Sequence, residues 1–490
     1  MKGRPGNRRS SRNRSTGQRI QPQPQPRGRF RLVWMAAAIV VAVAGILAFL
    51  TWDPPQDMVF ELEMSGDGPR LPPGDPPLDA AAVLSLNPEL PQTVAEINQE
   101  ILAVGNLVVT TLPQRPEAHA QMAVAYLQVG QERAALESWQ QALAQNASFA
   151  EGHLGMGVLL KEFGEDEAAI ASLSRSIEVN PKLEPAYREL TSLLLQQRRT
   201  EQALAVARQC VQRFPEQAEN HYWLGQAYLQ HEDYEAASRS YEQTLRLAPE
   251  YTPALHSLAA ATARMGEKDR AAQYQKRFAE LKAVQLEAER QEARNFDDLA
   301  SRRQALTKRH AVAGVLQLQV GDPRMAEAHW LRAAAIDSQE LTTRQALATL
   351  YEQQARTAAA IQVLEELCRL EPEQAEHFLR KGRLLVGRGA DQPARQALER
   401  TIQLAPQTAE AHRMLAQIHL RSATDLAAAV AHAQTAARLD PSSDTYLVLA
   451  AVQSQIGDRA GARSALSQAL QMDPDNPQTR RAYERLRELD

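Results

Sequence analysis

Residues 218–251 read AENHYWLGQAYLQHEDYEAASRSYEQTLRLAPEY, and the spacing of Leu224, Gly225, Tyr228, Ala237, Tyr241 and Pro249 within them recurs along the chain. Pro181, Pro215 and Pro249 stand 34 residues apart, and Pro372, Pro406, Pro441 and Pro474 resume the beat with one residue of slippage. Twelve positions before each proline is an alanine: Ala169, Ala203, Ala237, Ala360, Ala394, Ala429 and Ala462. A fixed period of this size predicts a solenoid of helix-turn-helix units.

Set on that beat, ten units begin at Pro116, Ala150, Glu184, Ala218, Thr252, Thr307, Leu341, Ala375, Ala409 and Ser443. The eighth residue is often Gly (157, 225, 314, 382), which lets two helices approach closely. The fifteenth is often Gly (130, 164, 266, 321, 389, 457), suited to the left-handed residue after a helix C-terminus. The twenty-fourth is frequently large and apolar (Trp139, Leu173, Tyr241, Trp330, Leu364, Leu398) and reads as core. Proline then ends the second helix, because it cannot continue the hydrogen-bond ladder.

These residues resemble the tetratricopeptide repeat family over roughly residues 116 to 476. The family's tryptophan near the fourth position is replaced by His119, His153, Tyr187, His221, Leu255, His310, Arg344, Phe378, His412 or Tyr446. The resemblance implies an all-α, right-handed superhelical solenoid whose first helices line a concave groove for peptides or protein surfaces. It also implies which positions face that groove: the second, fifth, ninth, twelfth and thirteenth, and sometimes the sixth. One cluster so placed is Arg188, Tyr222, Trp223, Gln226 and Gln230; a second is Arg380, Arg383, Arg413, Gln417 and Arg421. Arginine forks grip carboxylates at two points, so the second cluster suits an acidic segment or a free C-terminus. The lysine-and-asparagine clamp of chaperone-binding members is missing, its first-unit positions being Ala120 and Val124.

The N-terminus carries the other strong signal. Leu32 to Trp52 holds 21 residues without a charge, long enough to cross a bilayer as a helix. Residues 1–31 carry ten Lys or Arg and no Asp or Glu, which predicts a cytoplasmic tail and an extracytoplasmic remainder, in a bacterial periplasm or cell envelope. Setting those ten aside from 55 basic residues leaves 45 against 59 acidic, a formal charge of −14 that argues against a nucleic-acid binder. Ala42-Val43-Ala44 has the form of a signal-peptidase site but lies inside the apolar run. An uncleaved anchor is the expectation, and cleavage the alternative.

Residues 53–92 are rich in Pro and Gly and read as a linker without regular structure, and 93–115 as a lone helix capping the first unit. Repeats 1–5 occupy 116–274 and repeats 6–10 occupy 307–476. Between them lies a charged helical insert, 275–306, read either as an overlong helix pair or as a projecting arm. Asn295 reads as a stop within it and Asp297 or Asp298 as a new N-cap. Residues 477–490 form an amphipathic cap.

Catalytic signatures are missing: no GxxxxGK[ST] loop, HExxH helix, GxSxG elbow or CxxC pair occurs. No cofactor or metal is expected. Five histidines (119, 153, 221, 310, 412) share the fourth repeat position; neighbouring units lie roughly 10 Å apart, so the rings cannot share an ion. They read as half-buried replacements for tryptophan, with a pH-sensitive contact as the alternative. Cys210 and Cys368 fall at interior positions too far apart to bridge. Two functional classes stay open. One is a membrane-anchored scaffold binding protein partners; the other is an accessory subunit of an envelope enzyme or assembly machine, of the cytochrome maturation or polysaccharide export type.

Overall fold

The computed structural model describes residues 78–295, 297–423 and 425–488. The basic tail and the apolar run Leu32–Trp52 lie outside these residues, and so does the anchor expected there. None of the described helices is long and apolar enough to cross a membrane.

Among the described residues there are 23 helices. Two precede the repeats: α1 (Ala80–Val83) and α2 (Val94–Thr111). Repeats 1–5 pair α3 (Pro116–Gln128) with α4 (Glu132–Gln145), α5 (Ala150–Glu162) with α6 (Asp166–Val179), α7 (Glu184–Gln196) with α8 (Thr200–Arg213), α9 (Ala218–Gln230) with α10 (Tyr234–Leu247) and α11 (Thr252–Arg264) with α12 (Lys268–Asn295). Repeats 6–10 pair α13 (Asp298–Gln319) with α14 (Pro323–Ile336), α15 (Thr342–Gln353) with α16 (Thr357–Leu370), α17 (Ala375–Gly387) with α18 (Asp391–Leu404), α19 (Ala409–Ser422) with α20 (Leu426–Leu439) and α21 (Ser443–Gln455) with α22 (Arg459–Met472). Helix α23 (Pro477–Glu488) packs on α22, where Ala482 and Tyr483 lie against the cluster of Ala450, Ala462, Ala465 and Leu466.

Repeat chemistry explains each hairpin. At the fifteenth position all ten units adopt positive φ: six are glycines between 71° and 84°, and Arg198, Glu232, Ala355 and Ala423 take the same turn at 50° to 65°. At the eighth position glycine makes room for the large residue of its own partner helix. A Cβ on Gly225 would sit 2.5 Å from the Tyr241 ring, on Gly314 2.3 Å from Trp330, and on Gly157 or Gly382 2.7 Å from Leu173 or Leu398. The period-marking alanines, Ala237 and Ala394 among them, are fully buried where the two helices of a hairpin meet.

The 21 residues that break the beat form no separate element. Part of them prolongs α12 to Asn295; the rest prolongs the N-terminal end of α13, which Asp297 caps by accepting from the Leu299 and Ala300 amides. Helix α13 packs on α14, α2 and α3. Gln128 O meets Arg302, Gln121 meets Arg309 and Arg115 meets Gln319, numbers rising on one helix as they fall on the other, so α3 and α13 run antiparallel. Within an array the first helices of neighbouring repeats run parallel, as Gln226 to Ser257 and Arg188 to Glu219 show. The two five-repeat arrays therefore meet head to head, with α2 laid against the first helix of each.

Helix α2 is thus more than the cap of one array. Thr93 and Glu96 close a reciprocal capping box at its start, and Ile97 and Ile101 pack with Ala125 of one array and Leu306 of the other. On the same helix Glu100 is buried and takes both Nε and Nη2 of Arg332 at 2.8 Å and His310 Nε2 at 3.1 Å. Burial alone would raise this carboxyl, but the bonds from Arg332 and His310 outweigh it and hold it at about 2. The end of the segment read as linker is also ordered: α1 packs on α14, with Ala81 and Leu84 buried.

Candidate partner-binding surface

The first helices of successive repeats lie side by side, and their outward side chains are tied from repeat to repeat. Lys161 pairs with Glu189, Arg188 with Glu219 and Glu184, and Arg380 with both oxygens of Glu352 at 3.0 and 3.1 Å. Charged pairs also tie the second helices and their flanking turns from repeat to repeat: Arg270 to Glu242, Arg400 to Glu373 in the turn after α16, and Arg199 before α8 to Glu167.

Several residues expected to face a ligand are engaged within the chain. In the first cluster, Arg188 is neutralised by two glutamates, Gln226 donates to Ser257 Oγ at 2.8 Å, and Gln230 donates to the Leu195 carbonyl at 3.0 Å. Tyr222 packs inward, its ring centroid 5.3 Å from Tyr251, 5.5 Å from Trp223 and 6.0 Å from Tyr241. Burial raises its phenol, so it stays neutral.

The second cluster divides. Arg380 belongs to Glu352, and Arg421 pairs with Asp391 on α18. Arg383 is half exposed and reaches Glu410 only at 4.0 Å. Arg413 and Gln417, one turn apart on α19, have no hydrogen bond or ion pair among the described residues. The structure thus leaves Arg383, Arg413 and Gln417 available on adjacent repeats. Opposite charges on neighbouring first helices, such as Glu352 and Arg380 at 28 residues' separation, are the signal that could have removed Arg380 from the list.

The recurrent histidines do structural work. The Nε2 of His119, His153, His221 and His412 bonds the carbonyl six residues earlier, at 2.8 to 3.1 Å, tying the preceding turn to the first helix. Of the five recurrent histidines, His310 and His412 pair with a histidine on the second helix. His310 meets His329 Nδ1 to Nδ1 at 3.0 Å, and His412 meets His432 at 2.9 Å. Burial, then the neighbouring His412 and His419, pushes His432 down to about 4. Among the described residues no group of three ligating side chains could hold a metal ion. Both cysteines are free and buried, and burial raises their thiols.

Two models described as tetratricopeptide repeat match this chain, one over residues 194–262 and one over 121–183, 345–407 and 392–444. Curated proteins give no match. Among solved structures, MamA (residue 41 to the end) from Desulfovibrio magneticus RS-1 is 22% identical, covering 35% of this chain and 96% of its own, with a TM-score of 0.33. YrrB, described as a TPR protein with an unusual peptide-binding site, is 13% identical over 38% of this chain and 97% of its own, TM-score 0.33. The C-terminal part of a TPR repeat-containing protein from Cytophaga hutchinsonii is 18% identical over 51% of this chain and 95% of its own, also at 0.33. With the period, the left-handed turns and the glycine-against-large-residue packing in register with them, the matched segments 121–183, 194–262 and 345–444 are tetratricopeptide repeats.

Proposed function

We propose that this chain is a membrane-tethered scaffold that holds partner proteins against the first-helix surface of its second array, outside the cytoplasm, and performs no catalysis itself. Tetratricopeptide repeats mediate protein–protein interaction. The observation that carries the choice of surface is Arg413, a half-buried guanidinium without a partner among the described residues, in a structure that pairs Arg188, Arg380 and Arg421 internally. With Arg383 loosely held one repeat away, it suits an acidic segment or a C-terminal carboxylate, which takes two-point hydrogen bonds from such forks. The tether rests on the uncharged run Leu32–Trp52 and on the ten basic residues before it.

Partner capture from solubilised membranes by the full chain, compared with its Arg383→Ala/Arg413→Ala variant, tests the surface. Each charge-assisted bond contributes about 1.5 to 3 kcal/mol, so the double variant should lose most of its capture at unchanged helicity. Equal capture would move the site elsewhere. A reporter active only outside the cytoplasm, fused after Asp490, tests the topology independently; a silent reporter on a membrane-bound chain would refute it.

A further inference from the structure

The residues leading into the repeats are fastened at the joint between the two arrays. Asp79 Oδ1 caps α1 by accepting from the Ala81 and Ala82 amides at 3.1 Å, and Ala81, Leu84 and Pro91 are buried. Arg332 on α14 donates Nη2 to the Glu89 carbonyl at 3.0 Å and Nη1 to Pro88 O at 3.4 Å, while Nε and Nη2 also hold Glu100. One guanidinium therefore joins the entering segment, the shared helix α2 and the second array. The segment's own hold is slight. Its helix is a single turn, Ser85 beyond it takes a left-handed φ of 54° unfavourable for a residue with a Cβ, and three modest side chains supply its burial. A joint inside an array is far better packed, as where Ala237 and Tyr241 meet Ala254, Leu258 and Ala261 with all five buried.

We propose that residues 78–92 are a releasable strap, held by Leu84 and by Arg332's grip on the Pro88 and Glu89 carbonyls, that fixes the angle at which the two repeat arrays meet. Docked, it keeps Arg332 aligned on Glu100 and α2 seated against both first helices. Peeled away from its Asp79 end by anything that draws on the chain before it, it leaves α2 covalently joined to the first array but less firmly held by the second. The proposal does not depend on what the second array binds or on whether the chain is tethered to a membrane.

The test uses the full chain with spin labels at Glu235→Cys on α10 and Glu399→Cys on α18, both exposed positions, while Cys210 and Cys368 are buried and escape labelling. Pulsed EPR reads the distance between the arrays, and hydrogen exchange reads the strap through the Val83 and Leu84 amides, which bond Asp79 O and Ala80 O. Leu84→Asp should raise exchange at those amides at least about ten-fold and broaden the distance distribution, with α8 and α18 still protected. Arg332→Gln, which leaves the apolar contacts in place, should broaden it as well. A released strap with an unchanged distribution overturns the proposal, as does a strap that keeps its protection in Leu84→Asp. Loss of protection throughout both arrays would show the segment to be an inseparable part of the core and overturn it too.

Discussion

Arg332 and Glu100, 232 residues apart in sequence, form a two-point ion pair with both bonds at 2.8 Å, and it joins the helix shared by the arrays to the second of them. Removing one partner strands the other charge in a buried site. Glu100→Gln or Arg332→Met should each lower stability by about 3 to 5 kcal/mol, while Glu100→Leu with Arg332→Met should cost far less than the sum. Urea midpoints of the four proteins check this. The carboxyl's folded value, about 2, lies below its ordinary 4.5. Its stabilisation is therefore complete above the ordinary carboxylate range and is lost as pH falls through about 2.

The fifteenth repeat position gives opposite results for opposite substitutions. Ala355 has φ 56° where most units place glycine, so Ala355→Gly should stabilise by about 0.5 to 1 kcal/mol, against the usual effect of adding a glycine. Gly130 has φ 77° and nothing within 4 Å of an added Cβ, so Gly130→Ala should cost about 1 kcal/mol through backbone strain alone. Thermal melts of the two variants should shift in opposite directions.

Glycines inside helices separate steric need from tolerance. Gly225→Ala would place a methyl 2.5 Å from the Tyr241 ring and should cost about 1 to 3 kcal/mol. Gly387, at the end of α17, has open space around it and an ordinary φ, so Gly387→Ala should be neutral or gain up to about 1 kcal/mol. Similar melting temperatures for the two variants would contradict the hairpin packing.

Acidification should act on the ninth repeat. His432 lies against His412 and stacks on His419, with Asp425 opposing their effect, and its folded value is about 4 against an ordinary 6.5. The folded state thus binds fewer protons here. The stability held by the neutral ring is whole above 6.5 and is lost as pH falls toward about 4. Melting temperatures at about pH 7 and about pH 5 should differ less in His432→Gln than in the parent chain.

The hairpins were legible because their constraints are local. A glycine eight residues into a unit and an aromatic or leucine at the twenty-fourth position report on each other directly, as Gly314 and Trp330 do. The junction was not, since Glu100, Arg309 and Arg332 look in sequence like solvated charges on helices, and a period says nothing about which helix a restarted array packs against. Only the contacts of α13 with α2 and α3 settle that. Among the candidate ligand-facing residues, charge could be read but pairing could not. Arg380 and Arg413 look alike on the page, yet Glu352 occupies one and leaves the other. The left-handed turn at Arg198 or Glu232 was hidden for a similar reason: neither side chain advertises the conformation that its neighbours impose.

Entry of the N-terminal segment between the arrays has a mechanical consequence. Five repeats carry the second array out to α23, each adding roughly 10 Å between packed helices, so a force at α23 works through a lever of roughly 50 Å. Helix α12, by contrast, leads back at Asn295 to the start of α13 at the junction. A load at α23 becomes a torque at the junction, shared by the Arg332–Glu100 pair, the bonds of Arg302 and Arg309 to α3, and the packing of Leu306 with Ile97 and Ile101.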